Sequence, residues 1–173
     1  MLLVSLYIYS YICEIFIQSP YIMKYYRYFI QKESNGSPVK ETGEDFDIFE
    51  MESSFYGGNE AKDVPKRTWY DEHGDDEFVP DTLMMQAKEH SVKFGYKGDK
   101  FSANAAIKSF INYLSTGGKM KIYDEYNQIG RQHVRFKSLN DSAELFRDDD
   151  GDILVFTVNF KVNDPVTDIT LKK

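Results

Sequence analysis

The chain has 173 residues and a formal net charge of -7. Its one cysteine, Cys13, excludes an internal disulfide framework and a cysteine-rich zinc site. A sequence pI near 5.0 argues against a surface made to hold a phosphate backbone. Lys62, Lys66 and Arg67 are the nearest approach to a basic knot.

The length suits one domain with a substantial core. An aromatic content of 16%, with 13 Tyr and 13 Phe, tilts the balance toward a mainly β protein. Residues 2 to 17 are almost wholly apolar, with Glu14 as the sole charge. No basic residue precedes the run and no small-residue cleavage site follows it, so it fits a secretory signal poorly. It also stops short of the roughly 20 apolar residues that a membrane span needs. The remaining reading starts translation at Met23, leaving residues 1–22 as a doubtful leader and 23–173 as a single domain with no membrane segment.

From Lys24 the alternation places Tyr26, Tyr28 and Ile30 on one side of a strand and Arg27 and Gln31 on the other. Glu33 to Glu44, with Gly36, Pro38 and Gly43, reads as a loop. Phe46 to Met51 reads as a short strand. The polar stretch from about 57 to 80 holds Trp69-Tyr70 near its centre. A long polar segment inside a compact domain is usually either disordered or functional, and an ordinary surface loop is the commoner reading here. Here Arg67-Thr68-Trp69-Tyr70 and Glu77-Phe78-Val79 flank Asp71-Glu72-His73-Gly74, a pattern that also fits an extended hairpin arm. Val92, Phe94 and Tyr96 share one face of the next strand.

The stretch from Ser102 to Asn140 organises the rest. Ala103, Ala106, Ile107, Phe110, Ile111 and Leu114 form an apolar stripe at helical spacing, predicting a helix over about 102–116. Ser102 is the expected N-cap, and Gly117-Gly118 supply the left-handed stop. A candidate hairpin follows, Lys119 to Tyr123 and His133 to Lys137. Ser138 to Asp152 reads as a polar connection, closed by a turn at Asp149-Asp150-Gly151-Asp152. Leu154, Phe156, Val158, Phe160 and Val162 then make the strongest strand pattern in the chain, ended by Asp164-Pro165. The predicted core is Ile107, Phe110, Ile111, Leu114, Phe156, Val158 and Phe160. The predicted class is α+β, mainly β: an antiparallel β-sandwich with one packed helix.

The residues offer little to chemistry. His73, His90 and His133 lack paired zinc spacing and read as surface or strand-face histidines. Asp148, Asp150 and Asp152 alternate like a calcium loop, but Ile153 and Asn159 stand where glycine and glutamate are needed. Carboxylate pairs are too abundant to mark a glycosidase. Gly117-Gly118-Lys119 follows a helix instead of preceding one, the wrong polarity for a phosphate loop. We expect no enzyme, no metal and no cofactor. Trp69 and Tyr70 could stack on sugars or on a neighbouring subunit, while core packing is the commoner fate of a lone tryptophan.

From about Asp63 onward the order of parts resembles the tail proteins of bacteriophages and prophages, in particular the distal-tail family and its tail-tube relatives. The resemblance is carried by Asp63-Val64-Pro65 with Arg67 opening an arm, the helix ending at Gly117-Gly118, Met120 to Tyr123 with Asp124, Val134 to Ser138, and Phe160-Lys161-Val162-Asn163-Asp164-Pro165. It implies a β-sandwich with one packed helix that assembles with itself as a ring, commonly a hexamer, at the junction of tail tube and baseplate hub. The implied location is the virion tail after synthesis in the bacterial cytoplasm, with tube and hub proteins as partners and no specific nucleic-acid binding. The carbohydrate-binding second domain of the full pattern is not expected after Lys173, so a reduced distal-tail ring or a tube subunit is implied. Subunit contacts are expected from the arm and from the turn between Asp124 and Arg131, at Arg67, Trp69, Tyr70, Phe78, Asp124, Tyr126 and Arg131. The alternative is a secreted or surface β-sandwich that binds carbohydrate on Trp69, Tyr70 and Tyr126.

Overall fold

A computed structural model describes residues 26–173 except 56–57, 99, 141–143 and 149–150, and leaves aside the side chains of 100–101, 144–148 and 151–152. The leader, Cys13 and the Asp149-Asp150 turn lie outside the described residues. Among the described residues ten strands and two helices follow one another: β1 Tyr28–Lys32, β2 Val39–Glu41, α1 Thr42–Phe46, β3 Ile48–Ser53, β4 Lys66–Thr68, β5 Asp75–Glu77, β6 Lys88–Gly98, α2 Lys100–Ser115, β7 Met120–Asp124, β8 Ile129–Leu139, β9 Glu144–Asp148 and β10 Gly151–Val162. Eight of the strands form one antiparallel sheet in the order β2-β1-β7-β8-β10-β6-β3, with β9 added to β10. β4 and β5 make a separate two-stranded ribbon.

The sheet closes on itself. β7, β8 and β10 stand between β1 and β6, yet the Tyr28 ring meets the Phe94 ring edge-on with centroids 5.5 Å apart. The fold is therefore sandwich-like, α+β and mainly β, with both layers drawn from one bent sheet. Its interior is aromatic. Phe110 of α2 sits against Phe46, Phe94 and Phe156 at centroid distances of 5.3, 5.2 and 6.4 Å. Such rings add attraction beyond the area they bury. Phe110, Leu114, Phe156, Val158 and Phe160 are buried, and Ile107 and Ile111 pack on them half-buried.

α2 follows the predicted stripe, with Asn104, Lys108, Ser109, Asn112 and Ser115 on the solvent side. It starts two residues earlier than expected, which puts Ser102 in the first turn and not at the cap. Gly117 and Gly118 both take φ of +74°, the left-handed backbone that ends the helix. Lys32 of β1 adds a second stop, its Nζ donating to the Leu114 carbonyl at 3.1 Å. Burial lowers the pKa of this ammonium, whose position suits the negative end of the helix.

The segment 33–44 is not all loop. Val39–Glu41 pairs with β1, and Thr42–Phe46 forms a second helix between the sheet's two end strands. Asp45 accepts from the Glu41 N–H at 2.9 Å, and Asp47 in left-handed conformation ends this turn. The expectation of one helix is corrected accordingly: five residues are too few for a helical period to show. Phe46 belongs to α1, so the strand expected from it starts at Ile48. The connection expected over 138–152 carries a real strand, β9, paired with β10 from Gly151↔Asp148 to Val155↔Glu144.

The closing segment after β10 runs outside the sheet as a strap. Asp164 accepts from the Val166 and Thr167 N–H groups at 3.2 and 3.1 Å, bonds that hold its carboxyl down to about 2. Ile169 N donates to the Gly130 carbonyl at 3.3 Å, Asp168 pairs with Arg131, and Leu171 is buried. Lys173 ends between Glu44 and Asp45 of α1 at 2.8 and 3.0 Å. The strap thus ties β8 to the helix beside β2.

Candidate functional site

The most conspicuous feature outside the core is the arm between β3 and β6. Its neck is a bridge of Ala61 with Met85, where Lys62 N reaches the Met84 carbonyl and Gln86 N the Glu60 carbonyl, both at 2.7 Å. Farther out, Lys66–Thr68 pairs with Asp75–Glu77, and Gly74 at φ +91° turns the tip. The hairpin reading of this stretch is therefore the one the structure shows. Every residue from Lys66 to Val79 is exposed, so the arm lies on no described part of its own chain.

The arm is held by its own side chains. The Arg67 guanidinium stacks over Trp69 at 4.0 Å, and the indole Nε1 donates to Asp76 at 3.1 Å. Asp75 accepts from Thr68 at 2.6 Å and Lys66 at 3.0 Å, which lowers its carboxyl pKa. Trp69 is thus not in the core. Its partners are an arginine two residues earlier and a carboxylate across the ribbon, an i, i+2 and cross-strand pattern available only in a hairpin. Tyr70 is 100% exposed, Phe78 71% and Met84 64%. Together with Val79 and Leu83 they make an apolar and aromatic surface on an otherwise acidic arm. An open groove of about 510 Å³ lies along its base, between Lys62, Val64, Glu77 and Leu83.

The second expected contact region is the β7–β8 turn. Tyr126 is exposed and packs on Tyr26 at 4.3 Å, above a bidentate pairing of Arg27 with Glu125 at 2.7 and 3.0 Å. Asp124 is wholly buried, where it accepts from the Asn127 N–H at 3.0 Å and shapes the turn. Arg131 is buried under the strap, bound to the Gly130 carbonyl and Asp168. Arg67, Trp69, Tyr70, Phe78 and Tyr126 are therefore available at the surface, while the side chains of Asp124 and Arg131 are spent inside the chain. Among the described residues no ring contact joins Tyr126 to Trp69 or Tyr70, which lie on the separate β4–β5 ribbon.

Two polar groups in the interior had no sequence signal beyond their place in a strand. His90 is fully buried, stacked on Phe55 at 3.7 Å, with Tyr28 Oη at 3.4 Å and Ser54 Oγ at 3.3 Å from its two nitrogens. Burial, with Lys88 and Arg131 nearby, pushes its pKa down to about 3, so the ring is neutral. Glu50 of β3 is pushed up to about 8, first by burial and then by Asp124 across the fold. No group of three or more His, Cys, Asp or Glu able to hold a metal occurs among the described residues. No helix among them is long and apolar enough to cross a membrane.

No protein-family model matches the sequence, and no curated protein matches it. The fold is similar to that in the crystal structure of SPP1 Dit (gp 19.1), described as a paradigm of the hub adsorption apparatus in phages infecting Gram-positive hosts. The TM-score is 0.55 at 16% identity, over 80% of this chain and 50% of that one. The chain spans about half the length of the Dit protein it matches, and at this identity the likeness is one of fold.

Proposed function

We propose that the chain is a structural subunit of a bacteriophage or prophage tail, a distal-tail-like protein that closes into a ring at the junction of tail tube and baseplate. The observation that carries this reading is the fold shared with SPP1 Dit over four-fifths of the chain. The arm supports it independently: a self-braced hairpin with exposed Trp69, Tyr70 and Phe78 leaves apolar area in water, which a contact with another chain would cover. Rings are built from heterologous contacts, in which one patch of a subunit meets a different patch of the next. The arm and the Tyr126 turn are the surfaces assigned to such contacts, with Arg67, Trp69, Tyr70 and Phe78 on the first. A hexamer, with tube and hub proteins as axial neighbours and the virion as location, is the arrangement proposed. No catalytic step is assigned.

The test is the mass of the purified chain in solution by sizing chromatography with light scattering, followed by electron microscopy of the peak. A closed ring of several copies is expected. A monomer at every concentration, with sugar binding detected on a glycan array, would favour the carbohydrate-binding alternative.

A further inference from the structure

We propose that the outward face of β6, β10 and the far half of β8 receives the acidic arm of a second copy of this chain in a head-to-tail contact. The inference rests on the ring reading above and gives it a surface.

Alternation fixes which side chains point outward. His90, Val92 and Phe94 of β6 and Phe156, Val158 and Phe160 of β10 are buried, so Ser91, Lys93, Asn159 and Lys161 lie on the other face. Arg135 stands beside Lys161 across the β8–β10 pair, also facing outward. Over β7 and the start of β8 the outer face is crossed by the strap; over β6 and β10 Ser91, Lys93, Asn159 and Lys161 are half-buried, and the neck of the arm lies beside Lys161, whose Nζ donates to the Ala87 carbonyl at 3.5 Å. Its middle is a polar ribbon: Ser91 donates to Asn159 at 2.7 Å, and the Asn159 amide donates to Ser138 at 3.1 Å and Asn140 at 3.0 Å. Around this ribbon stand Lys93, Arg135 and Lys161. None of the three is in an ion pair among the described residues, whereas Lys137 beside them is paired with Glu89. Glu52 stands opposite Lys93 and Glu89 opposite Lys161, so the middle of this face carries four cations, Lys93, Arg135, Lys137 and Lys161, against two carboxylates, a local positive excess in a chain of net charge -7.

The arm has the opposite character. Of its own cations Lys66 is paired with Asp75, while Arg67 keeps its charge over the Trp69 ring. Asp71 and Glu72 at the tip and Glu77 on β5 are left facing water, next to Tyr70 and Phe78. An acidic, aromatic ribbon suits a cationic face, because guanidinium and ammonium groups pair with carboxylates and also sit over aromatic rings. The arm residues 66–79 are exposed throughout, so the arm does not cover this face of its own sheet. Complementary patches at different places on one chain give a heterologous contact, which a second copy completes.

The experiment uses the full chain and light scattering at 0.1 and 0.5 M NaCl. A face variant carries Lys93→Glu, Arg135→Glu and Lys161→Glu, with Arg135→Glu alone as the milder form should the triple change disturb folding. An arm variant carries Asp71→Lys, Glu72→Lys and Glu77→Lys. Association of the unaltered chain is expected to weaken about tenfold or more at the higher salt, and each variant alone to associate at least about tenfold more weakly. A 1:1 mixture of the two variants is expected to recover association, because each reversed surface meets its reversed partner. If the unaltered chain forms rings and the folded face variants form them equally well, this face is not the receiver while the ring reading stands. If the unaltered chain is a monomer at all concentrations, the ring reading itself fails.

Discussion

Ile169 lies directly over Gly130, its N–H donating to the Gly130 carbonyl at 3.3 Å while its own carbonyl covers the Gly130 Cα. A methyl group at position 130 would meet the Ile122 carbonyl oxygen at 3.0 Å and the Ile169 carbonyl oxygen closer still. Both obstacles are backbone. Gly130→Ala should therefore lift the strap, freeing Leu171 and Asp168, and destabilise the fold by about 1–3 kcal/mol. Urea unfolding would show it, and limited proteolysis should cut the variant between 164 and 173 sooner than the parent. An unchanged unfolding midpoint would mean that the strap is not packed on Gly130.

Phe110 is the second test. It is fully buried among Phe46, Phe94 and Phe156. Phe110→Ala should cost about 3–5 kcal/mol through lost transfer energy and the cavity left behind. Phe110→Asp adds an uncompensated buried charge and should leave no folded protein at neutral pH. Circular dichroism through a thermal ramp reads both, and a cooperative native-like transition for Phe110→Asp would contradict the packing of α2.

Buried His90 and half-buried Glu50 set opposite pH limbs. The neutral His90 ring titrates near 3 in the folded chain against an ordinary value of 6.5, so the unfolded chain binds the extra proton. Stability should fall as pH drops from about 6.5 toward 3, at up to about 1.4 kcal/mol per pH unit. Removing the imidazole in His90→Phe should flatten that limb. Glu50 runs the other way: at about 8 it holds its proton in the folded chain while the unfolded carboxyl, near 4.5, has lost it. Its contribution is present below pH 4.5 and declines as pH rises to 8. Glu50→Gln should then raise stability at pH 8 by about 1–2 kcal/mol, with the partial exposure of this side chain discounted. Denaturation midpoints across pH 4–9 decide it, and a Glu50→Gln variant no more stable than the parent at pH 8 would contradict the assignment.

The arm should be dispensable for folding. Phe78 N bonds the Pro65 carbonyl at 2.9 Å, so the chain can be closed there once residues 66–77 are replaced by a short glycine linker. That deletion removes only exposed side chains and should change stability by no more than about 0.5 kcal/mol. The same variant should lose self-association. Loss of folding instead would show that the ribbon belongs to the core unit.

What could be read in the residues beforehand follows from length and period. α2 and β10 were legible because Ala103 to Leu114 and Leu154 to Val162 keep one period for long enough, and because Gly117-Gly118 and Asp164-Pro165 mark their ends. The arm was legible as one of two readings, a surface loop or a hairpin whose turn is flanked by Trp69-Tyr70 and Phe78-Val79. α1 and β2 were hidden in a polar run holding Gly43, where the conformation is set by the closing of the sheet and not by local preference. β9 was hidden in the same way, since its pairing is written in β10. His90 in a Glu-His-Ser sequence looks solvent-facing until its alternation with Val92 and Phe94 is followed. Nothing local signals that Glu50 and Asp124, 74 positions apart in sequence, influence each other. The order of strands, and with it the bend that joins β1 to β6, is a property of the whole chain.

Ring closure is tested most directly by the mass of the full chain in dilute buffer, measured by light scattering across a hundredfold range of concentration. A discrete closed oligomer is expected, seen as a ring by microscopy and lost on deletion of residues 66–77. A single species of 20.2 kDa throughout would contradict it.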